Sequence, residues 1–522
     1  MSTFQRLRTS IRKKIKSISR LELIVITVIL IGGAFLRLYN IRGYMTFLGD
    51  EGRDVLIVRR MLVDFDITFV GPTASVGGFF LGPIYYYFMA PFLALFRLDP
   101  VGPAVMVALF GIATIFLLYR FGKELYSPFV GIIASLMYAI SPLVIAQSRS
   151  SWNPNIVPFF SLLYIYALYK AAVVQKKIWF FIAGACVGIG IQLHYLFLFL
   201  IPVGVVFFLL YLKPLKKFLV HYGFVLMGFL FFMLPFLGFE IKNGLPNMRT
   251  ILKYLETGED ITYSQNGFQI IHNVLFRMFS RLVFYFPPPE QIEISTKTIY
   301  GPWSIAIYLT LISSVTLLVY RIYKKRTKQD VLLFVWLLFG VGLFSLYQRS
   351  IYDYYLVIVF TVPFLLLAQM LHHLMQKKFL VPIVAVVIVW LVWLNLTGVP
   401  FRNEPNSQLE QVKSISLTAF NAAEGKPFNF ALITSSNSDH AYRYFFEMWG
   451  LPPVTIQNPD VDPERKTVTD QLIVICEIPY CQPLGHPLWE IAGFGQAEIV
   501  GSWEHPPVMI YKLVHYEGEV IQ

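Results

Sequence analysis

The chain has 522 residues, 56% of them hydrophobic and 16% aromatic, with only 14% charged. That balance excludes a water-soluble domain of ordinary make-up. The formal charge of +12 does not point to nucleic acid, because the basic residues gather in the N-terminal tail and in short clusters between apolar runs, the positive-inside pattern of a membrane protein.

In chain order, Arg6, Arg8, Arg12, Lys13, Lys14, Lys16 and Arg20 precede an apolar run from Leu21 to Leu38. The run is longer than a signal-peptide core and no small-residue cleavage site follows it. An uncleaved first span behind a cytoplasmic basic tail, residues 1–20, is therefore expected. A hydrocarbon core of roughly 30 Å needs about 20 helical residues. Further runs of that order are Val101 to Tyr119, Phe129 to Gln147, Asn155 to Val174, Ile178 to Leu193, Tyr195 to Leu212, Phe218 to Phe239, Tyr300 to Tyr320, Val331 to Tyr347, Tyr354 to His372 and Phe379 to Leu396. The fold class read from this is mainly α, a polytopic membrane protein of about eleven transmembrane helices.

Two stretches fall short. Gly82 to Phe96 carries Pro83 and Pro91, and Phe268 to Phe286 carries Arg277 and Arg281. With both set aside as interfacial or re-entrant helices, the N-tail, Arg120/Lys123, Lys176/Lys177, Lys213/Lys216/Lys217, Lys324/Lys325/Arg326/Lys328 and Lys377/Lys378 all fall on one side. Loop charge thus sets the orientation, with 39–100 and 240–299 as outer loops of a transmembrane domain spanning 21–397.

The first outer loop holds Gly49-Asp50-Glu51-Gly52-Arg53-Asp54, then Val55, Val58, Leu62 and Phe65 at helical spacing, with Arg59, Arg60 and Asp64 opposite. Such a segment is expected to lie along a membrane surface, apolar stripe down. Gly82-Pro83-Ile84-Tyr85-Tyr86-Tyr87 follows, an aromatic group suited to the interface. Beyond Leu396 the hydropathy collapses. Strand-like runs at Phe428 to Thr434, Gln471 to Cys476 and Pro507 to Leu513, with a helix-like stretch at Asp439 to Trp449, predict a small extracytoplasmic α/β domain over 398–522. Cys186 sits in an apolar run as a small hydrophobe. Cys476 and Cys481 close a small loop if that segment faces an oxidising compartment, and otherwise stay free thiols.

With this topology one face collects Asp50, Glu51, Arg53, Asp54, Arg149, Asn153, His194, Glu240, Lys242, Gln348, Arg349, Tyr352 and Asp353, all near helix ends. A polar pocket at the outer membrane boundary is the default active-site hypothesis. The order of features resembles the GT-C superfamily of membrane glycosyltransferases, in the branch of the protein O-mannosyltransferases and lipid A aminoarabinose transferases. The resemblance runs from Leu21 to about Leu396. It rests on the acidic pair Asp50-Glu51 in the first outer loop, the Gly-Pro-x-Tyr-Tyr element, Ser141-Pro142 leading to Arg149, and Arg349-x-x-Tyr352 before a span.

The resemblance implies a sugar carried on a polyprenyl-phosphate lipid and passed to an acceptor on the outer face, with membrane lipid as the other partner and no nucleic acid. Two departures stand out. Leu81-Gly82-Pro83 stands where many relatives have a basic residue or histidine before a double proline, and Gln192-Leu193-His194 where a Thr-Lys pair is common. Arg149, His194 or Arg349 would then hold the donor phosphate.

The chemistry has its own logic. Displacing phosphate from an anomeric carbon builds positive charge on the sugar while the attacking hydroxyl loses a proton, so a nearby carboxylate helps twice. Asp50 is the expected base and Glu51 the group that orients it or the acceptor. The leaving group needs a cation, which suits the guanidinium fork of Arg149 or Arg349. Arg53, Tyr85, Tyr86, Asn153, Glu240, Lys242 and Tyr352 complete the expected lining. No His/Cys/Asp spacing resembles a metal ligand set, and a divalent ion assisting the reaction stays open.

Each residue also has a plainer reading. Asp50 is placed to cap a helix, with Glu51 favouring its positive end. Arg149 is placed to snorkel, His194 to end a helix, Glu240 to pair with Lys242, and the tyrosines to form an interface belt. A transporter of a lipid-linked or small polar substrate is the competing function. It calls for ionisable groups or helix breaks near the bilayer midplane, whereas the acids here sit in a loop.

Overall fold

The computed structural model describes residues 19–74, 78–212, 215–257, 266–286, 301–347, 350–516 and 518. The basic residues of the tail before Arg20, together with Lys213, Gln348 and Arg349, lie outside the described residues. The chain forms two compact units. One comprises residues up to 39, 68–88 and 104–404, and the other 40–67, 89–103 and 405 onward. Much of the segment expected to form the first outer loop thus belongs with the C-terminal segment, a grouping that hydropathy along the chain does not reveal.

The helices in order are α1 (Arg20–Leu38), α2 (Gly49–Val63), α3 (Ile84–Leu95), α4 (Val101–Leu125), α5 (Pro128–Ile140), α6 (Pro142–Gln147), α7 (Val157–Val174), α8 (Lys177–Leu193), α9 (Ile201–Tyr211), α10 (Leu215–Lys242), α11 (Pro246–Thr257), α12 (Gly267–Leu282), α13 (Gly301–Lys325), α14 (Lys328–Gly342), α15 (Val362–Leu374), α16 (Val381–Thr397) and α17 (Gln408–Ala422). Among the described residues, seven helical segments are long and apolar enough to cross a membrane, and each coincides with one of the predicted runs.

The other four predicted runs are shorter or interrupted helices. Phe129 to Gln147 divides into α5 and α6 at Ser141-Pro142, where Pro142, which has no N–H to donate, takes the first position of the new helix. Tyr195 to Leu212 opens as a 3₁₀ turn over Tyr195–Leu200, and Tyr354 to His372 opens as another over Asp353–Ile358. Their α-helices restart with Pro202 and Pro363 in the first turn. The two stretches set aside as spans are helices of 12 and 16 residues, α3 and α12.

Within the helical unit, α8 and α10 approach closely. A Cβ on Gly184 would fall 1.8 Å from the Val225 carbonyl oxygen, the small-residue contact by which membrane helices pack without a hydrophobic drive between them.

The second unit carries a four-stranded sheet of β1 (Asn429–Ile433), β2 (Gln471–Cys476), β3 (Ala497–His505) and β4 (Val508–His515) in the order β1-β2-β4-β3. β1 and β2 run parallel, and the other pairs are antiparallel. Both faces of β1 and β2 are covered, which explains their continuous apolar runs. Phe430 packs under Tyr442 and Phe446 of α18 (His440–Met448). Leu472, Val474 and Leu513 lie on the opposite face with Ile491 and Phe494. Cys476 and Cys481 are joined as a disulfide.

The surface-helix expectation for residues 55–65 needs correction. Helix α2 ends at Val63, and Phe65 lies beyond it at φ 56° and 81% exposed, so the apolar stripe stops short. Arg59 and Arg60, expected to face water, both pair with Glu447 of α18 at 2.6 and 2.8 Å.

Candidate active site

In the second unit the acidic sequence forms the first turn of α2. Glu51 is buried and reaches back to accept the Leu48 backbone N–H at 3.1 Å, so Glu51, rather than Asp50, caps this turn through its side chain. Asp50 is half exposed and pairs with Arg53 at 2.7 Å. The same guanidinium holds the fully buried Asp54 at 2.7 Å. Arg53 therefore fixes both acids one turn into the helix.

Burial pushes the Glu51 carboxyl up to about 7, against the opposing pull of its backbone hydrogen bonds and with Asp50 and Asp54 adding to the rise. A carboxyl raised in this way binds a proton in the folded state over a range where the unfolded chain has lost it. Its contribution to stability is complete below about 4.5 and disappears as pH rises through about 7. Replacing Glu51 by Gln, which keeps an acceptor for Leu48, should flatten the fall in melting temperature between those values, a difference of about 3 kcal/mol. Melting of the detergent-solubilised protein across pH 5–8 measures it, and a slope equal to that of the parent would contradict the assignment.

In the helical unit, several of the predicted residues come together around the break after α8. His194 is buried, and its Nδ1 accepts the Leu196 N–H at 3.2 Å, placing a neutral imidazole's proton on Nε2. The ring stacks on Tyr195 at 4.9 Å and meets the edges of Tyr354 and Tyr355. Tyr352 stacks on Tyr354, which packs on Trp152 at 4.6 Å. Asn153, next to that tryptophan, donates to the Leu193 carbonyl. The hydroxyls of Tyr195 and Tyr347 lie 3.2 Å apart, and that of Tyr347 donates to Tyr355 at 3.3 Å. Tyr85 and Tyr86 are buried, and the Tyr85 hydroxyl pairs with Ser151 at 2.9 Å. Tyr85, Asn153, His194 and Tyr352 are thus parts of one neighbourhood, while the tyrosines at 85 and 86 are not an exposed belt.

Arg149 is buried and donates to the carbonyls of Leu36 and Tyr39 at 2.9 and 2.7 Å, with its guanidinium over the Phe401 ring. It braces the end of α1 instead of snorkelling. Glu240 is buried at the end of α10 with Oε1 lacking a hydrogen-bond partner among the described residues. Lys242 is exposed, and among the ion pairs of the described residues none joins it to Glu240. The two departures from the family pattern lie against each other, since a Cβ on Gly82 would meet the Gln192 side chain at 2.3 Å. Arg349 lies outside the described residues.

The sequence reading passes over a cluster at the same place. Asp353, beside Tyr352 and Tyr354, accepts from Arg277 at 3.0 Å and from Arg281 at 2.8 Å, with all three side chains largely buried. Two guanidiniums share one carboxylate. The signal was present as two arginines four residues apart on an amphipathic helix, which puts them on one face. In the second unit, a cavity of about 580 Å³ lies between Leu472, Leu513, Phe494 and Tyr516, and none of the predicted site residues lines it. No group of three or more His, Cys, Asp or Glu residues suited to a metal ion occurs among the described residues.

Residues 81–239 match the family model described as dolichyl-phosphate-mannose-protein mannosyltransferase. That stretch includes Tyr85, Arg149, Asn153 and His194 and leaves out the acidic turn. Two Bacillus subtilis (strain 168) proteins named as mannosyltransferases are similar over short stretches. YycA is 27% identical over 129 residues, 24% of this chain and 19% of the relative. YkcB is 27% identical over 190 residues, 36% of this chain and 26% of the relative. The matched stretches therefore span about a quarter or less of those relatives' length. Among solved structures, ArnT from Cupriavidus metallidurans bound to undecaprenyl phosphate superposes with a TM-score of 0.59 at 14% identity, covering 94% of this chain and 97% of that one. The apo Archaeoglobus fulgidus oligosaccharyltransferase gives a TM-score of 0.55 at 13% identity, covering 91% of this chain and 71% of that one. At such identities the likeness is one of fold, and it extends over nearly the whole chain.

Proposed function

Because the chain carries the fold of the GT-C membrane glycosyltransferases, we propose that it moves a hexosyl or pentosyl group from a polyprenyl-phosphate carrier to an acceptor at the extracytoplasmic face of a cell membrane. The observation that carries this reading is the acid turn of α2, where Arg53 steadies a half-exposed Asp50 and Glu51 is buried at a raised pKa. A buried carboxyl with a raised pKa, as at Glu51, marks a place where acid–base chemistry is found. Asp50 takes the proton of the attacking hydroxyl, and Glu51 holds the turn in shape.

Attack on the anomeric carbon expels the lipid phosphate in a single displacement that inverts the sugar centre. The departing anion needs positive charge and no proton. Arg149, Arg349 and His194 keep their assignment to the donor phosphate. Arg277 and Arg281 join them, as two guanidiniums on one face of α12 that both meet Asp353 beside Tyr352. Tyr85, Tyr86, Asn153 and Tyr352 are assigned to the sugar and the first isoprene units, with Arg53, Glu240 and Lys242. The aromatic neighbourhood of His194 supports this, offering stacked rings with hydroxyls at their edges. ArnT was solved with undecaprenyl phosphate, which supports a donor of that class. The acceptor is a protein, a lipid or a glycan.

The disulfide of Cys476 and Cys481 supports an extracytoplasmic second unit, because such bonds persist in oxidising compartments. A cysteine introduced at the exposed Val461 should react with a membrane-impermeant maleimide on intact cells; reaction only after lysis would reverse the orientation. The activity is tested with the purified protein and a panel of radiolabelled polyprenyl-phosphate sugars. Transfer of label from at least one donor is expected. Movement of intact lipid-linked sugar across vesicles without bond cleavage would favour the transporter and overturn the reading.

A further inference from the structure

The acidic pair is bracketed by Gly49 and Gly52, three residues apart and therefore on one face of α2. A Cβ on Gly49 would lie 2.0 Å from Ser438 Oγ, and one on Gly52 2.3 Å from the backbone nitrogen of Ala441. The Ser438 hydroxyl can rotate away, but the Ser438 backbone nitrogen, 2.9 Å from the first position, and the Ala441 backbone at the second cannot. At this face the α2 backbone lies directly on the loop and first turn of α18, which only glycine permits.

One specific hydrogen bond adds direction to this docking. The Gly49 N–H, a first-turn donor with no partner inside its own helix, donates to Asn437 Oδ1 at 3.0 Å. The Asn437 amide cannot turn freely, because its Nδ2 donates to Glu477 Oε1 at 2.8 Å. That carboxylate is also held by the Tyr442 hydroxyl at 2.7 Å. At the far end of α2, Arg59 and Arg60 grip Glu447. The helix is thus fastened to α18 at both ends, with the acids on the tightly held turn.

We propose that Asn437, acting with the Gly49/Gly52 face, is the positioning device of the acid turn, so that the C-terminal part of the chain builds the base of the reaction. This rests on the reading of Asp50 as that base. Asn437 touches no substrate in this account; it fixes the backbone from which Asp50 projects. Misplacement by about 1 Å is enough to cost a base much of its rate.

The test uses the full-length protein and a cycle of Asn437→Ala, Asp50→Asn and the double variant, assayed for sugar transfer with melting temperature in parallel. Asn437→Ala should lower kcat about tenfold at unchanged KM for the lipid donor, and should do nothing further to the residual rate of Asp50→Asn, because a positioning effect vanishes with the group positioned. A general structural role would lower the rate by the same factor in both backgrounds, and that result overturns the proposal, as does wild-type kcat in Asn437→Ala. Wild-type activity in Asp50→Asn would instead remove the base itself. Should Asn437→Ala not fold, Asn437→Ser, which keeps a shorter acceptor, is read in the same cycle with a smaller expected loss.

Discussion

Asp50→Asn should lower kcat by about 10²- to 10⁴-fold, the range that a positioned general base contributes, while leaving KM for the lipid donor and the melting temperature close to wild type. The carboxylate is half exposed and its pairing with Arg53 at 2.7 Å is a surface ion pair, worth little to stability. The amide is isosteric and still offers an oxygen to Arg53, so the turn keeps its shape. What disappears is the capacity to take a proton from the attacking hydroxyl. Single-turnover transfer of radiolabelled sugar separates the two parameters. Transfer at the wild-type rate would remove Asp50 from the role and direct attention to Glu51, whose raised pKa also suits a base working near neutral pH. A higher KM with unchanged kcat would make Asp50 a binding group instead.

The spans were legible because a membrane helix must satisfy every backbone group internally and show apolar side chains to lipid, and both demands are written locally in composition. The interruptions at Ser141-Pro142 and ahead of Pro363 fall inside runs that read as continuous, and proline alone does not mark them, since Pro91 and Pro235 stand inside unbroken helices. Strands β1 and β2 announced themselves through apolar runs. β3 did not: it lies at the sheet edge, is largely exposed and carries an irregularity between Ile499 and Gly501, so neither alternation nor apolarity marks it. Helix α17 does have apolar residues at helical spacing, with Leu409, Val412, Ile415 and Ala419 buried. That signal was present and passed over.

The site was legible by residue type and much less by contact. Asp50 and Glu51 stood out as adjacent acids, yet their division of labour depends on which of them is buried, and nothing in the order of two neighbouring acids fixes that. Arg149 was read as free to meet a phosphate or the membrane surface. Its use on the carbonyls of Leu36 and Tyr39 follows from a tertiary packing of α1 that the sequence does not state. The same holds for Asn437, whose bond to Gly49 joins residues 388 positions apart. Pairings at that distance have no local signature.

Asp353→Asn is expected to cost the protein about 3–5 kcal/mol, the typical consequence of removing one partner from a buried ion pair. The carboxylate is the shared anion of Arg277 and Arg281, and the three side chains are 14%, 11% and 4% exposed. An amide would take from both largely buried guanidiniums the carboxylate that they share. Scanning fluorimetry of the detergent-solubilised protein should show a drop of several degrees in melting temperature, and an unchanged value would mean that water reaches the cluster. Stability alone does not distinguish a strut from a phosphate site. The triple replacement Arg277→Met, Arg281→Met, Asp353→Leu does, because removing all three charges together relieves the burial cost and should recover much of the lost stability. If that variant folds well but transfers no sugar, the arginines serve the donor phosphate; if it folds well and transfers at the wild-type rate, the cluster is architecture, and the phosphate must be held by Arg149, Arg349 or His194.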